Sequence, residues 1–252
     1  MPETPDSLIA DAVREAASRA TLPFQAARAD RSFGTAFWYN DLIVAEQDGR
    51  EVIRQYLVTA HARTRYAIGQ WTLRPGLSEP EQPLDELVMP SFAQKWTAVG
   101  DLGAAVMPTV ELHQHAEKKG WRWSTQEVTA GLAAQAEDIA LLDHEPLPAY
   151  LLGHGVDENT SARHPDRPQS LVEGEVVRVA PDAPVTWSGP FPDGFDGAPV
   201  FSALPLEGGR LKLLCLGAAV AGEPVTVAPF DQLRTAIHAL SPRPKRHWWS
   251  RA

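Results

Sequence analysis

The chain of 252 residues is 44% hydrophobic and carries 23 basic against 32 acidic side chains, for a formal charge of −9. This length and apolar content suffice for a substantial core in one large or two small domains. The acidic balance argues against general binding to nucleic acid or to an anionic membrane, since both require a basic surface.

The cysteine content and the N-terminal sequence indicate the cellular compartment in which the protein is expected. The single cysteine, Cys215, cannot form an internal disulfide and lies in an apolar run that predicts a buried strand. The N-terminus is acidic and lacks the apolar core of a signal peptide, and no stretch approaches the roughly 20 apolar residues of a membrane span. We therefore expect a cytoplasmic protein in a reducing compartment, and no pattern indicates a cofactor.

The predicted elements start with a helix and then change to strands. Thr4 can cap a helix over residues 4–20, in which apolar residues recur at helical spacing. Beyond it, β-branched and aromatic residues predict strands, and the pair Asp48-Gly49 predicts a hairpin between the first two. Residues 76–90, with several prolines and acids, are typical of a surface loop.

Short strands continue through most of the chain. One helix is predicted within residues 124–143, a polar loop over residues 156–170 and an amphipathic helix over residues 229–240. The predicted strands cover residues 34–39, 51–60, 65–73, 100–108, 149–153, 174–180, 184–187, 198–203, 211–220 and 224–228. Their regular spacing, with Gly and Pro between them, is typical of a β-barrel or β-sandwich.

The most specific pattern in the chain is Gly-x-Asp-Gly-x-Pro-Val, formed by Gly194, Asp196, Gly197, Pro199 and Val200. It resembles the Gly-x-Ser-Gly-x-Pro-Val signature around the nucleophile of trypsin-like (chymotrypsin-fold) serine peptidases of the bacterial type. The aspartate stands where that family has its serine. The resemblance therefore implies a peptidase that has lost the attacking hydroxyl.

Five further segments resemble the same family and occur in the family's order. They correspond to the opening strand of the first barrel, the histidine strand, the aspartate strand, the strand before the specificity loops, and the closing strand with its helix. The segments are Gly34-Thr-Ala-Phe, Tyr56-Leu-Val-Thr-Ala-His61, Gly100-Asp-Leu-Gly-Ala-Ala-Val, Tyr150-Leu-Leu-Gly-His154 and Val225-Thr-Val-Ala-Pro-Phe-Asp-Gln-Leu-Arg. The resemblance extends over about residues 30–240.

The resemblance implies an all-β fold of two packed six-stranded antiparallel β-barrels with a cleft between them and flanking N- and C-terminal helices. On this basis we divide the chain into a helical extension (1–30), a trypsin-like double-barrel domain (31–242) and a basic, Trp-containing tail (243–252).

The resemblance also places a catalytic triad at His61, Asp101 and Asp196, in the order and at about the spacing of the chymotrypsin template. Asp138 is a rival for the orienting acid, but it leaves too little chain before position 196, so we interpret it as a surface or capping residue. The family usually has two residues between the threonine and the histidine of its motif, whereas this chain has one. Either His61 is displaced, or Ala62 occupies the catalytic position.

The same comparison implies an oxyanion hole and a specificity pocket. Gly194 and Asp196 would supply the two backbone N–H donors of the oxyanion hole, and the aspartate carboxylate could fold into it as a built-in anion. Pro190 would lie at the pocket base and Gly217 in its wall. Such a pocket has no acid to select basic side chains, so it would accept apolar or small groups.

Three functions remain open from the sequence. The first is a catalytically impaired pseudoprotease that binds a peptide or protein partner, since an extended peptide can add a strand without any nucleophile. The second is an active trypsin-like hydrolase with a displaced serine such as Ser188, or with an unusual mechanism at Asp196. The third is a structural or interaction domain whose partner contacts the helices or the tail.

Two other features of the sequence resemble binding sites. If residues 113–115 form a strand, His113 and His115 share a face, but no third ligand is marked by spacing, and we expect no metal. The basic tail at 243–252 contains paired tryptophans that could dock a partner, but its short length favours a frayed end.

Overall fold

A computed structural model describes residues 5–28, 32–44, 51–83, 85–156, 167–206, 208 and 210–240. Within these residues, five α-helices and fifteen strands are defined. The helices are α1 Pro5–Ala17, α2 Phe92–Lys95, α3 Val110–Lys118, α4 Ala136–Ala140 and α5 Phe230–Leu240. The first nine strands are β1 Thr21–Ala26, β2 Gly34–Val44, β3 Glu51–Ala60, β4 Ile68–Leu73, β5 Ser78–Glu79, β6 Asp85–Pro90, β7 Thr97–Ala98, β8 Ala104–Pro108 and β9 Arg122–Trp123. The remaining six are β10 Leu147–His154, β11 Gln169–Val177, β12 Val185–Ser188, β13 Pro199–Pro205, β14 Leu211–Val220 and β15 Thr226–Pro229.

The strands form two main sheets, one from each half of the chain. The N-terminal sheet has seven strands in the order β6-β4-β1-β2-β3-β8-β7, and the C-terminal sheet closes into the barrel β10-β11-β12-β15-β14-β13. All pairings within them are antiparallel. A separate two-stranded sheet joins β5 and β9.

The expectation of two closed six-stranded barrels is therefore right for the C-terminal half only. The N-terminal sheet has seven strands, and its edge strands β6 and β7 are not paired with each other. Two features at these edges are consistent with an open sheet. Strand β7 has only two residues, and Pro90 at the end of β6 has no N–H to donate to a neighbour.

Two clusters of buried apolar residues form the core. One lies within the N-terminal half, and the other joins both halves, since it includes Phe37 and Val58 of the N-terminal sheet as well as the barrel interior. The helices at either end of the chain cover the closed barrel. The N-terminal core is aromatic and includes Phe24, Trp38, Trp71, Phe92 and Trp96. Val13 of α1 and Leu233 and Ile237 of α5 are fully buried in the other core, which also contains the barrel interior. This burial of apolar helix faces is what holds α1 and α5 on the barrel.

Most predicted elements are confirmed, including the first helix, the strands of the closed barrel and the final helix. Cys215 is free and fully buried in β14, as expected. The Asp48-Gly49 turn lies outside the described residues, although β2 and β3 do pair antiparallel. Most of the predicted 156–170 loop and all of the 243–252 tail also lie outside them.

Four expectations for local structure are wrong or incomplete. Residues 76–90 contain β5 and β6, and the helix expected in residues 124–143 is limited to the five residues of α4. His113 and His115 lie on α3, where a separation of two residues points them to different sides of the helix. Strand β1 was not predicted. It lies within the expected N-terminal extension and pairs with both β2 and β4.

Among the described residues, no helix is both long and apolar enough to cross a membrane.

Candidate functional site

The turn before β13 carries the Gly-x-Asp-Gly pattern and packs against the N-terminal sheet. Gly194 and Gly197 have φ angles of +92° and +90°, a region that favours glycine. A Cβ at Gly197 would lie 2.1 Å from the Thr59 Oγ1 atom, so the close approach to β3 also requires glycine. The turn thus brings Asp196, from the closed barrel, directly against the N-terminal sheet.

Asp196 is buried, with 3% of its surface exposed, and both carboxylate oxygens accept hydrogen bonds. Oδ2 accepts from Arg63 Nε at 2.7 Å, and Oδ1 accepts from the backbone N–H of Ala221 at 2.9 Å. Its backbone carbonyl accepts from the N–H of Thr35 at 3.0 Å. The carboxylate therefore joins the N-terminal sheet to the end of β14.

Arg63 lies in the 3₁₀ turn His61–Thr64 that follows β3. Burial tends to lower the pKa of its guanidinium, but the hydrogen bond and the negative charge of Asp196 raise that pKa above its ordinary value. The arginine is thus a permanent cation paired with Asp196 across the two halves of the molecule.

His61 begins the same turn but makes different contacts. Its Nδ1 atom lies 3.3 Å from Thr64 Oγ1, and its backbone N–H donates to the carbonyl of Gly103 at 2.7 Å. Within the described part of the chain, its imidazole has no hydrogen bond to Asp101 or Asp196. Ala62, the alternative occupant of the catalytic position, is exposed between His61 and Arg63.

Asp101 is exposed in the turn before β8. It lines a groove together with Glu137 of α4 and with Asp231 and His238 of α5. The structure therefore does not join His61, Asp101 and Asp196 by hydrogen bonds. Among the described residues, the side chain that is hydrogen-bonded to the Asp196 carboxylate is that of Arg63.

Asp138 has a structural role, which confirms its interpretation as a capping residue. It forms a capping box with Gln135 at the start of α4, and its Oδ1 accepts from Lys212 Nζ at 2.6 Å. Burial tends to raise the pKa of its carboxyl, but the hydrogen bonds from Lys212 and from the Gln135 backbone lower that pKa below its usual range.

The two predicted oxyanion donors lie close together in the turn. Among the described residues, no hydrogen-bond acceptor is found for the N–H of Gly194 or of Asp196, and the Asp196 carboxylate is directed to Arg63 and Ala221 instead. The carbonyl of Gly194 accepts from Thr35 Oγ1 at 2.7 Å.

The two predicted pocket residues differ in their surroundings. Pro190 is exposed, and its carbonyl accepts from Trp187 Nε1 at 3.1 Å. Gly217 is buried in β14, where a Cβ would lie 1.9 Å from the carbonyl oxygen of Ala228. A side chain at position 217 would therefore separate β14 from β15.

A buried polar network beside this turn was missed by the sequence analysis. His154 Nε2 lies 2.9 Å from Thr21 Oγ1, and its Nδ1 lies 2.9 Å from the carbonyl of Arg167. Because a carbonyl only accepts, Nδ1 carries the proton and the threonine hydroxyl donates to Nε2. Burial, together with the charges of Arg74 and Arg167, holds the pKa of His154 well below its ordinary value, so its ring is neutral. Since Thr21 and His154 come from different halves of the chain, no local pattern marks the pair.

The side chains of the described residues form no cluster of three or more His, Cys, Asp or Glu that could hold a metal ion.

Comparison of structures identifies the fold of the chain, whereas comparison of sequences identifies no family. No protein-family model matches the chain. No curated protein sequence matches it either. Among solved structures, the chain is similar to Deg5, with a TM-score of 0.54 and 12% identity over 94% of this chain and 96% of that one. It is also similar to the serine endoprotease from Yersinia pestis, with a TM-score of 0.50 and 12% identity over 95% of this chain and 67% of that one. Both similarities extend over nearly the whole chain, and the chain therefore has the fold of the trypsin-like serine proteases.

Proposed function

We propose that this chain is a pseudoprotease, a trypsin-like protease domain that does not cleave and that binds a peptide or protein partner. The observation that carries the proposal is the state of Asp196. The carboxylate is buried and bonded on both oxygens, to Arg63 and Ala221, at the position where the family signature has a nucleophilic serine. A carboxylate held in an ion pair is a poor nucleophile toward an amide, and among the described residues no imidazole is hydrogen-bonded to it.

A displaced nucleophile has less support. Ser188 is exposed at the end of β12, opposite Glu175 of β11. Among the described residues, no histidine is hydrogen-bonded to its hydroxyl, so nothing activates it. The hydrolase alternative therefore rests on the fold alone, which does not fix an activity.

The partner would bind at the outer edge of the N-terminal sheet. Strand β6 is an edge strand, paired only with β4 among the described strands, and Val88 on it is 54% exposed. Asp85 and Glu86 on the same strand are not buried. An extended peptide can pair with such an edge through its backbone, and the two acids favour a peptide with basic side chains.

The absence of peptide cleavage is tested by labelling with a fluorophosphonate and by a broad peptide-cleavage panel. The proteins compared are wild type, Asp196→Ser and the matched control Asp193→Ser. We expect all three to remain unlabelled and inactive, because a serine at position 196 would face Arg63 rather than an imidazole. An active trypsin-like protease serves as the positive control for both assays.

Two outcomes would change this view. If only Asp196→Ser reacts, His61 reaches the site in solution, and the chain is a pseudoprotease silenced at one residue. If the wild type is labelled, the adduct mapped by mass spectrometry identifies another nucleophile, and the hydrolase alternative replaces the proposal.

A further inference from the structure

Two arginines, Arg167 fully buried and Arg74 partly buried, lie between the halves of the molecule with no acidic partner among the described residues. Arg167 is 1% exposed, and its guanidinium donates only to carbonyls, those of Phe24, Gly34 and His154. Arg74 Nη2 donates to the carbonyls of Ser18 and Thr21. Neither forms an ion pair with a carboxylate among the described residues. A buried cation is ordinarily paired, because removing its charge from water is costly.

The charges of these arginines are correspondingly disfavoured. Burial lowers the pKa of Arg167 to about 9 and that of Arg74 to about 10, with no carboxylate to oppose the effect. Both remain cations at neutral pH, so the interface holds two positive charges that no described acidic group offsets.

The strand register places three further polar side chains on the same face. Gln25 of β1 lies opposite Gln70 of β4, and Thr72 follows Gln70 at an alternate position, which points to the same side of the strand. Arg74 comes directly after the end of β4 at Leu73. Gln25, Gln70 and Thr72 are all at most 3% exposed. We call these three residues, with Arg74 and Arg167, the inter-barrel polar layer.

Hydrogen bonds connect the two arginines of this layer. Arg74 donates to the backbone of Thr21, whose hydroxyl is bonded to His154, and His154 is bonded on its other ring nitrogen to the backbone of Arg167. The Arg167 guanidinium in turn reaches Phe24, the neighbour of Gln25. These bonds link the two arginines to each other and join β1 to the closed barrel, and strand pairing places Gln25 and Gln70 next to Phe24 and Trp71.

The layer contains more free donors than free acceptors. Five atoms that can donate are shielded from solvent and have no hydrogen-bond partner among the described residues. Within the same part of the chain, Gln25 Oε1 is the only unpaired atom of the layer that solely accepts. The five are Arg74 Nε, Arg167 Nε, Gln25 Nε2, Gln70 Nε2 and Thr72 Oγ1. Native proteins rarely leave such atoms unbonded. Water could accept some of these bonds, but it would not neutralise two guanidinium groups.

We propose that the inter-barrel polar layer binds a small inorganic oxyanion, with the charge and geometry of phosphate or sulfate. Such an ion supplies several acceptors and up to two negative charges, which matches two guanidinium groups and the adjacent amide and hydroxyl donors. Bound there, it ties β1 and β4 of the N-terminal sheet to Arg167 beside the Gly194 turn. This site is independent of any catalytic activity.

The first test is thermal unfolding of the full chain, purified in phosphate- and sulfate-free buffer and titrated with sodium phosphate, sodium sulfate or sodium chloride at constant ionic strength. An ion that binds only the folded state raises Tm in a saturable way. We expect phosphate and sulfate to raise the Tm of wild type by several degrees and chloride to raise it less.

Variants separate a specific site from a general salt effect. Gln70→Leu and Arg74→Met remove one donor and one charge without touching the buried Arg167, and each is expected to lose at least half of the oxyanion-dependent rise in Tm. Arg122→Met is the matched control, because Arg122 is exposed and paired with Glu79, and it should respond like wild type. Isothermal titration with sodium phosphate should give about one site per chain in wild type and weaker binding in the two layer variants.

The proposal is overturned if all three salts raise Tm equally and without saturation, or if Gln70→Leu and Arg74→Met retain the full response. In that case the two arginines are held by backbone carbonyls alone.

Discussion

At the scale of single residues, the ion pair between Asp196 and Arg63 joins the two halves of the molecule. The carboxylate is 4% exposed and the guanidinium 33% exposed, so solvent screens this pair less than a surface pair. The two residues are 133 positions apart, one in the 3₁₀ turn that follows β3 of the N-terminal sheet and the other in the turn that precedes β13 of the closed barrel. The same carboxylate also fixes the end of β14 through Ala221.

We predict a coupling free energy of about 1–3 kcal/mol between Arg63 and Asp196, because a charged hydrogen bond to a buried carboxylate is worth about that much. The measurement is a double-mutant cycle from urea unfolding of wild type, Arg63→Ala, Asp196→Ala and the double variant. Asp196→Asn, which keeps the shape but not the charge, should lose most of the same coupling.

The pair formed by Arg122 and Glu79 is the control for this cycle. Both side chains are largely exposed, at 74% and 61%, and exposed pairs are worth about 0–1 kcal/mol. A coupling at Asp196 no larger than that at Glu79 would contradict the role that we assign to the buried pair.

At the scale of elements, β6 is the edge that a partner strand can use. Its alternation places Leu87 and Met89 in the aromatic core and leaves Val88 exposed on the other face. A strand with one buried face and one free edge is a defined template for an added peptide.

We predict that peptides selected for binding to the wild type are extended and basic, and that Val88→Lys weakens their binding at least tenfold by placing a positive charge beside the edge. Val179→Lys is the matched control, because Val179 is 74% exposed but lies between β11 and β12, away from that edge. Fluorescence anisotropy with a labelled peptide measures the affinity of each variant. Equal binding by the two variants would place the partner elsewhere.

Local patterns predicted the long elements well and the short ones poorly. Strands β2, β3, β13 and β14 have continuous apolar or alternating sequences, and helix α5 has a clear apolar face. By contrast, β5 and β9 have two residues each and are stabilised by each other rather than by their own sequence. Strand β1 contains Pro23, which weakens its strand pattern, and only its pairing with β2 and β4 defines it.

At the scale of the whole molecule, the packing of the two halves depends on a neutral histidine. His154 is fully buried, and both its ring nitrogens are hydrogen-bonded, to Thr21 and to Arg167. In the unfolded chain its pKa returns to about 6.5. Below that pH the unfolded state binds a proton that the folded state excludes, so acid favours unfolding.

We predict that the free energy of unfolding falls between about pH 6.5 and pH 5, by up to about 1.4 kcal/mol per pH unit from His154. Urea unfolding across this range measures the slope. His154→Asn should be less stable at neutral pH but show a shallower slope, whereas His144→Asn, at an exposed position, should keep the slope of wild type. His113 and His115, whose pKa values are lowered mainly by partial burial, account for a smaller residual slope. An unchanged slope in His154→Asn would contradict this assignment.

The arrangement of the site was only partly accessible from the sequence. The order of the motifs predicted the protease fold, and the glycine pattern predicted the turn at Asp196. The sequence could not show that Arg63, rather than His61, is hydrogen-bonded to the Asp196 carboxylate. Both residues lie in one 3₁₀ turn, only two positions apart, and no sequence pattern shows which of them faces Asp196. The buried arginines were equally inaccessible, since Arg74 and Arg167 carry no motif and their partners are backbone carbonyls.

The bond between Asp196 and Arg63 also has an evolutionary consequence. A serine at position 196 would lose the bonds that the carboxylate makes to Arg63 and Ala221. Its hydroxyl would lie beside a guanidinium rather than beside an imidazole. Any route from this sequence to a serine nucleophile at position 196 therefore begins with a loss of stability and also requires a change at position 63.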